Sequence, residues 1–531
     1  VLPAAAVLFA ASAHSQTLKD AIKLTENEQY EKASGVYKKL IQSNPSDGET
    51  YFYYGENYYF NDYLDSAAAL YKKGSEVNAT NPLNYVGIGK VQWDKNQPTE
   101  AKASFFKATT LANSKNAVVL NKIAQAYISS DKKNLEEAFK LLNQAMKIDP
   151  KNVDSQLLMG DAYLEQNDGS NAVKYYNKAI ELDKTSSKGH VRIGKLWVRA
   201  KNYKEALTSF GKAIEMEPNF APAYRERAEL YFKIGKFSEA VADYEKYLQL
   251  NPDLGARVRY AEFLFLAKQY NKSIEEIEKV QKIDSTFVRL YRIKAYSQFE
   301  TKDYKNGIEN MTKFLGKAEQ KGSKILASDY EYLGKLQAET GQDSVGVLSI
   351  LKAIQMDTAR CDLYGEIGEI QMKKKKYTDA AMNIEKKVAC GKDVNINDYN
   401  RLGKAYYLTK EYVKADSAFA KVVKMQPTLP IGYFWRARAN SGLDPDSKQG
   451  LAKPYYEMHI SKATDIEKNK KDLVEAYSYL GFYYLQAKDY NCAKSAWMKV
   501  KELEPANDKA KAALEDPNVK KAAGDCVLIK P

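Results

Sequence analysis

The chain has 531 residues, enough for several globular domains or for one extended repeat array, and its 15 Pro and 28 Gly are too few for a string of small domains joined by linkers. With 28% charged and 44% hydrophobic residues it has the composition of a helical protein with half-buried faces, which excludes a disordered chain. The formal charge of +13 arises from 81 basic against 68 acidic residues mixed along the sequence, the pattern of solvated helix faces with a mild bias toward acidic partners or anionic surfaces.

Residues 1–15, VLPAAAVLFAASAHS, form an apolar stretch of about eleven residues followed by small ones, the h-region and cleavage site of a secretory signal peptide. No Lys or Arg precedes Lys19, so the sequence is expected to begin inside that signal, with a mature start at Gln16 or, as the competing site, His14. A membrane anchor would need roughly 20 apolar residues. No Cys stands at the cleavage point, and a lipid anchor is not expected. The chain is therefore predicted to be exported, to the periplasm or another part of the cell envelope, without a transmembrane segment.

From about residue 16 to 505 the sequence repeats itself. Gly160, Gly194 and Ala228 are spaced 34 apart, and Ala172, Ala206 and Ala240 follow each of them by twelve. In chain order, strong copies are Gly55, Tyr58, Ala67 and Tyr71; Ala124, Tyr127, Ala138, Leu142, Ala145 and Pro150; and Ile193-Gly194, Trp197, Ala206, Phe210, Ala213 and Pro218. Leu402-Gly403, Tyr406, Ala415, Phe419 and Pro427, and then Leu480-Gly481, Tyr484, Ala493, Trp497 and Pro505, give two late ones. Weaker copies centre on Ala21, Gly89, Ala261, Ala295, Gly334, Gly368 and Ala437. These residues resemble the tetratricopeptide repeat, whose pattern sets a Leu-Gly pair, an aromatic, an Ala, a second aromatic, another Ala and a Pro. The resemblance implies an all-α, right-handed superhelical solenoid of about fourteen helix-turn-helix repeats, with the first helices lining a concave groove. A polar capping helix and tail are expected over residues 506–531.

The chemistry of the pattern stands without the family. Small residues at positions 8 and 20 lie where two antiparallel helices cross, and a larger side chain would push them apart. Aromatics at positions 11 and 24 fill the space around the crossing, so much of the excess of 40 Tyr is expected in the core. The closing Pro cannot continue a helix. Each repeat buries too little alone, and stability comes from stacking. The period is broken by about five extra residues in Leu315–Gly322 and by a lengthened turn at Ser441–Asp446, each an insertion in a surface loop or a bend of the superhelix. The basic run Lys373–Lys376 falls in a helix-to-helix turn.

Catalytic raw material is sparse. The three His are His14, His190 and His459, and no metal-binding, phosphate-loop or nucleophile-elbow motif occurs. No enzyme activity, metal or cofactor is expected. Cys361 opens the first helix of one repeat and Cys390 closes its second, ends that are neighbours in an antiparallel pair, and Cys492 could pin Cys526 of the tail. Four reduced packing cysteines are the alternative.

Helix geometry selects the groove. At about 100° per residue, positions 4, 7, 8 and 11 of a first helix share one side and positions 2, 5, 9, 12 and 13 the other. The second set supplies Lys195, Arg199, Arg225, Phe232, Lys233, Phe265, Arg292, Tyr296 and Phe299, rich in the aromatic and Arg types that carry interface energy. Asn400 and Lys404 take two groove positions in one repeat but lack counterparts in adjacent ones, so the chaperone-tail clamp of some family members is not implied. The expected function is a non-catalytic envelope scaffold or adaptor for proteins or extended peptides; the alternative is a binder of cell-wall or surface glycans. Nucleic acid is not an expected partner.

Overall fold

The computed structural model describes residues 17–524 and 526–531, so the predicted signal segment and both cleavage positions lie outside the described residues. The chain is all-α among these residues, with thirty α-helices in series. The first four repeats are α1 Leu18–Glu26 with α2 Tyr30–Ser43, α3 Gly48–Phe60 with α4 Leu64–Val77, α5 Pro82–Asp94 with α6 Pro98–Leu111, and α7 Ala117–Ser129 with α8 Leu135–Ile148. The next four are α9 Val153–Glu165 with α10 Gly169–Leu182, α11 Lys188–Arg199 with α12 Tyr203–Met216, α13 Ala221–Lys233 with α14 Phe237–Leu250, and α15 Leu254–Leu266 with α16 Tyr270–Ile283. Then come α17 Val288–Glu300 with α18 Tyr304–Lys321, α19 Ala327–Glu339 with α20 Asp343–Met356, and α21 Tyr364–Lys373 with α22 Tyr377–Cys390. The last three pairs are α23 Ile396–Leu408 with α24 Tyr412–Met425, α25 Pro430–Leu443 with α26 Lys453–Lys462, and α27 Ile466–Gln486 with α28 Tyr490–Leu503. Short helices α29 Asp508–Glu515 and α30 Pro517–Lys521 follow. No helix of the described residues is long and apolar enough to cross a membrane.

The local chemistry of each element repeats with the period. Several first helices begin on side-chain caps: Asp47, Asn81, Asn116 and Asn152 accept hydrogen bonds from the free N–H groups of α3, α5, α7 and α9. The position-8 glycines lie flat against the aromatic sixteen residues on, Gly55 on Tyr71, Gly160 on Tyr176, Gly194 on Phe210, Gly403 on Phe419 and Gly481 on Trp497, leaving no room for a Cβ. The position-20 alanines Ala67, Ala138, Ala172, Ala206, Ala240, Ala415 and Ala493 are fully buried beside them. Between the two helices of most repeats the chain passes through one residue in the left-handed region, Glu28, Asp62 and Asn96 in the first three repeats and Gly235 and Gly341 among the later ones; the turn between α7 and α8 has none, and that between α25 and α26 has two, Ser447 and Gly450. Of the 40 tyrosines, Tyr63 alone is exposed; the others pack.

The chain divides into two compact units, the first ending at Ile293 and the second beginning at Lys294. The first contains eight complete repeats. In the second, the extra residues of Leu315–Gly322 form no loop: they prolong α18 to 18 residues against the usual 14, and Gly322 ends it in the left-handed conformation. The long turn after α25 is organised by the buried Asp444, whose carboxylate accepts from the N–H groups of Lys448, Gln449 and Gly450 at 3.0, 2.9 and 2.8 Å. Two disulfides belong to this unit. Cys361 and Cys390, at the two ends of one repeat, have Cα atoms 6.3 Å apart, and Cys492 of α28 holds Cys526 of the tail with Cα atoms 5.1 Å apart. Tyr477 adds a hydrogen bond to the Ile529 carbonyl at 3.2 Å.

Candidate functional site

In the first unit the first helices of four consecutive repeats, α7, α9, α11 and α13, wall a cavity of about 640 Å³. Counting Ala117, Val153, Ser187 and Ala221 as position 1, the side chains on the cavity come from positions 2, 5, 6, 9, 12 and 13. Helix α9 supplies the whole set as Asp154, Leu157, Leu158, Asp161, Leu164 and Glu165. On the other side of α7, positions 4, 7, 8 and 11 are Leu120, Ile123, Ala124 and Tyr127, all in the core. One stripe packs and the opposite stripe lines the cavity, although the apolar members of the second, Ile128, Leu157, Leu158 and Val191, also join the core.

The far side of the cavity is the end of α1 with Glu26 and the turn after it with Glu28, together with Phe60. This turn reaches the sixth and seventh repeats. Arg225 of α13 donates from Nε and Nη2 to the two carboxylate oxygens of Glu28, each at 3.0 Å, and the Tyr247 hydroxyl donates to the same carboxylate at 2.9 Å. Lys188 pairs with Glu26, and Lys23 with Glu217 at 3.2 Å. The apolar cluster of the first repeat, built on Ala21, Ala33, Val36, Tyr37 and Tyr54, shares no member with the clusters of the sixth and seventh repeats. Seven repeats thus close on themselves through polar contacts.

The wall is charged but balanced. Lys122, Lys133, Lys188, Arg192, Lys195 and Arg225 face it, against Glu26, Glu28, Asp154, Asp161, Glu165 and Glu226, six of each sign. Asp161 accepts from Arg192 Nε at 2.9 and 3.0 Å and from the Tyr176 hydroxyl at 2.9 Å. Behind the wall the buried Glu56 takes Lys90 at 2.9 Å, Lys122 at 3.0 Å and the Tyr71 hydroxyl at 2.8 Å, while Lys90 lies 3.7 Å from the Tyr59 ring centre. Burial alone would raise the Glu56 carboxyl, but Lys90 and Lys122 outweigh it and hold it at about 2. For Lys90 burial wins over the attraction of Glu56 and the ammonium is pushed down. Burial works against the charge on Arg225, yet Glu28 and Glu226 raise it overall.

The residues assigned to the groove from sequence fall in different surroundings. Lys195 and Arg225 line the cavity, Lys195 at 3.5 Å from Glu226. Arg199 reaches Glu165 at 3.4 Å and the Asn167 side chain at 2.6 Å. Phe232 stacks on Phe263 of the next repeat with ring centres 5.3 Å apart and lies under the Arg259 guanidinium, and Phe265 packs beside Tyr270. Lys233 stands 5.6 Å from the Tyr203 ring. Arg292 is in the first unit, whereas Tyr296 and Phe299 belong to the second. There Tyr296 donates to Asp329 at 2.7 Å and stacks on Tyr332, and Phe299 meets the Tyr332 edge. Sequence reading missed the position-6 cations Lys122 and Arg192 and their acids Glu56 and Asp161. The signal for the acids was present: each directly follows a position-8 glycine and precedes by fifteen the tyrosine that bonds it.

Two family models, both described as tetratricopeptide repeat, match residues 221–254 and 130–190. Among solved structures, the chain is similar to the C-terminal part of a TPR repeat-containing protein from Cytophaga hutchinsonii, at 37% identity over 49% of this chain and 99% of that one, with a TM-score of 0.45. It is also similar to Pseudomonas aeruginosa pilF, at 18% identity over 39% of this chain and 92% of that one with a TM-score of 0.28, and to MamA, at 22% over 31% and 94% with a TM-score of 0.24. No curated protein matches the chain.

Proposed function

Because the chain belongs to the tetratricopeptide repeat family, we propose that it is a non-catalytic scaffold of the cell envelope that binds proteins, or extended segments of them, on the concave face of its repeats. The observation that carries this reading is the cavity wall of α7, α9, α11 and α13, where polar side chains such as Gln125, Asp154, Lys195 and Arg225 stand beside apolar ones, among them Leu157, Leu158 and Val191, that also belong to the core. Such a surface suits a polypeptide, whose backbone needs hydrogen-bonding groups and whose side chains need apolar ones. Support for export comes from the apolar, small-residue composition of residues 1–15 and from cysteines paired in the manner of oxidising compartments. A glycan binder would draw on exposed aromatic rings, of which the described residues offer four, Phe60, Tyr63, Phe106 and Phe482, with no exposed Trp among them.

The test is site-specific photo-crosslinking of the full chain in envelope extracts, with the reactive residue at Gln125 or Lys195 in the cavity and at the exposed Phe106 of α6. Peptide adducts are expected from the first two positions. Adducts from Phe106 alone would overturn the concave-face reading. Sequencing of the mature N-terminus checks export, and residues 1–15 retained on a cytoplasmic chain would refute it.

A further inference from the structure

Glu28 reaches its place from 197 residues before Arg225, yet its carboxylate is held as a bound ligand would be. The guanidinium grips it with two parallel hydrogen bonds, the geometry in which Arg discriminates carboxylates best, and the Tyr247 hydroxyl adds a third. All the receiving groups come from the seventh repeat and its exit and are arranged without help from the first. Arg225 is steadied by Glu226 at 3.1 Å. Tyr247 is buried on α14, and its oxygen accepts from the Asn251 side chain at 2.9 Å, which also donates to Asp253 at 2.8 Å.

Resting on the concave-face reading, we propose that Arg225 and Tyr247 form a carboxylate-recognition subsite of the groove, that Glu28 fills it as a built-in competitor, and that an acidic segment of a protein partner displaces the first repeat to reach it. The strap that must let go consists of Lys23 on Glu217, Glu26 on Lys188 and Glu28 on Arg225, with no apolar cluster shared across it. The Lys23–Glu217 and Lys188–Glu26 pairs are of the weak kind that salt screens, whereas the forked Glu28 contact is the strong one, which an incoming carboxylate replaces in kind. Its release also changes the wall: Glu26 and Glu28 leave, and six cations then face the four remaining acids Asp154, Asp161, Glu165 and Glu226. The uncovered groove attracts negative charge, whereas the covered one is neutral.

Binding of a fluorescein-labelled peptide of alternating Glu and Ala, and of its Gln-for-Glu counterpart, to the full chain near physiological salt decides the matter. Glu28→Gln should bind the acidic peptide at least tenfold more tightly than the unmodified chain, and adding Arg225→Gln or Tyr247→Phe should return affinity to the starting level. Lys23→Glu, which loosens the strap without touching the subsite, should also strengthen binding, and circular dichroism confirms that each variant is folded. Hydrogen exchange in α1 and α2 should quicken in Glu28→Gln and in 0.5 M salt. Equal affinity of the unmodified and Glu28→Gln chains, or binding that survives Arg225→Gln, overturns the subsite. Equal binding of both peptides to Glu28→Gln, lost on Arg225→Gln, overturns acid selectivity while leaving the concave-face reading intact, and cavity crosslinking judges that reading separately.

Discussion

The first unit closes with charge and the second with sulfur. In the first, Lys23, Glu26 and Glu28 reach back to the sixth and seventh repeats, and no cysteine is present. In the second, Cys361–Cys390 ties the ends of one helix pair and Cys492–Cys526 ties the tail to the last repeat. Ion pairs between partly exposed side chains are made and broken readily and weaken with salt. A disulfide restricts the unfolded chain and is indifferent to salt. The same helical repeat therefore supports a closure that can open and one that stays shut until it is reduced.

The largest effect on this contrast is expected at the buried charge of the first unit. Glu56→Ala strands Lys90 in the core and should destabilise the first unit by about 3–5 kcal/mol, with hydrogen exchange in the second unit unchanged. Adding Lys90→Met should recover most of the loss. Reduction is the counterpart: with sequence separations of 29 and 34, each disulfide is expected to contribute about 3–4 kcal/mol to the second unit on the loop-closure model, and none to the first. Mass mapping without reductant checks both pairings, and free thiols at all four positions would refute them. Gly194→Ala and Gly403→Ala should each cost about 1–3 kcal/mol, since a methyl group meets the Phe210 or Phe419 ring. Equal costs in the two units, read from thermal melts, would show that their packing is the same and only their closures differ.

The smallest expected effect is the response of His459 to acid. Burial depresses His459 below the ordinary value of 6.5 against the opposing influence of the Pro430 carbonyl, Asp472 and Glu475. The folded second unit favours the neutral ring, so the stabilisation is complete above about pH 6.5 and lost as pH falls through the depressed value. His459→Gln should flatten that dependence. His190 in the first unit is also lowered by burial, but it keeps part of its solvent contact. Glu56 works in another window: its carboxyl is lowered from 4.5 to about 2, so its contribution is full above pH 4.5 and fades as pH drops toward 2.

What could be read from sequence was local and periodic. The register of Gly194 and Phe210, the burial of Ala206 and the nearness of Cys361 to Cys390 all follow from contacts inside one helix pair, where spacing along the chain fixes spacing in space. The stripe that lines the cavity followed from the same geometry except for position 6, which lies on its border and in this chain carries Lys122 and Arg192. The closure could not be read. Glu28 meets Arg225 only because small rotations between successive repeats add up over seven of them, and no residue spacing records that sum. The extra residues of Leu315–Gly322 read as a loop because the period is lost there, yet Lys317, Ala318, Glu319 and Gln320 are good helix formers, and the helix absorbs them.

The left-handed residue between the two helices of most repeats has a bearing on how such a gene can change. Glycine sits in that conformation without strain, whereas a side chain there costs about 1–2 kcal/mol. Even so, Glu28, Asp62, Asn96, Asn167, Lys201, Lys268, Lys302, Lys375, Lys410 and Lys488 all adopt it. These positions lie outside the helix crossings, so their side chains can be exchanged without disturbing the glycine and aromatic contacts beneath. A gene that grows by copying whole repeats gains with each copy another such position on the rim. Inheritance of a single substitution at Glu28 is enough to erase its tether to Arg225 and Tyr247 while the helix crossings pass unchanged to the descendants.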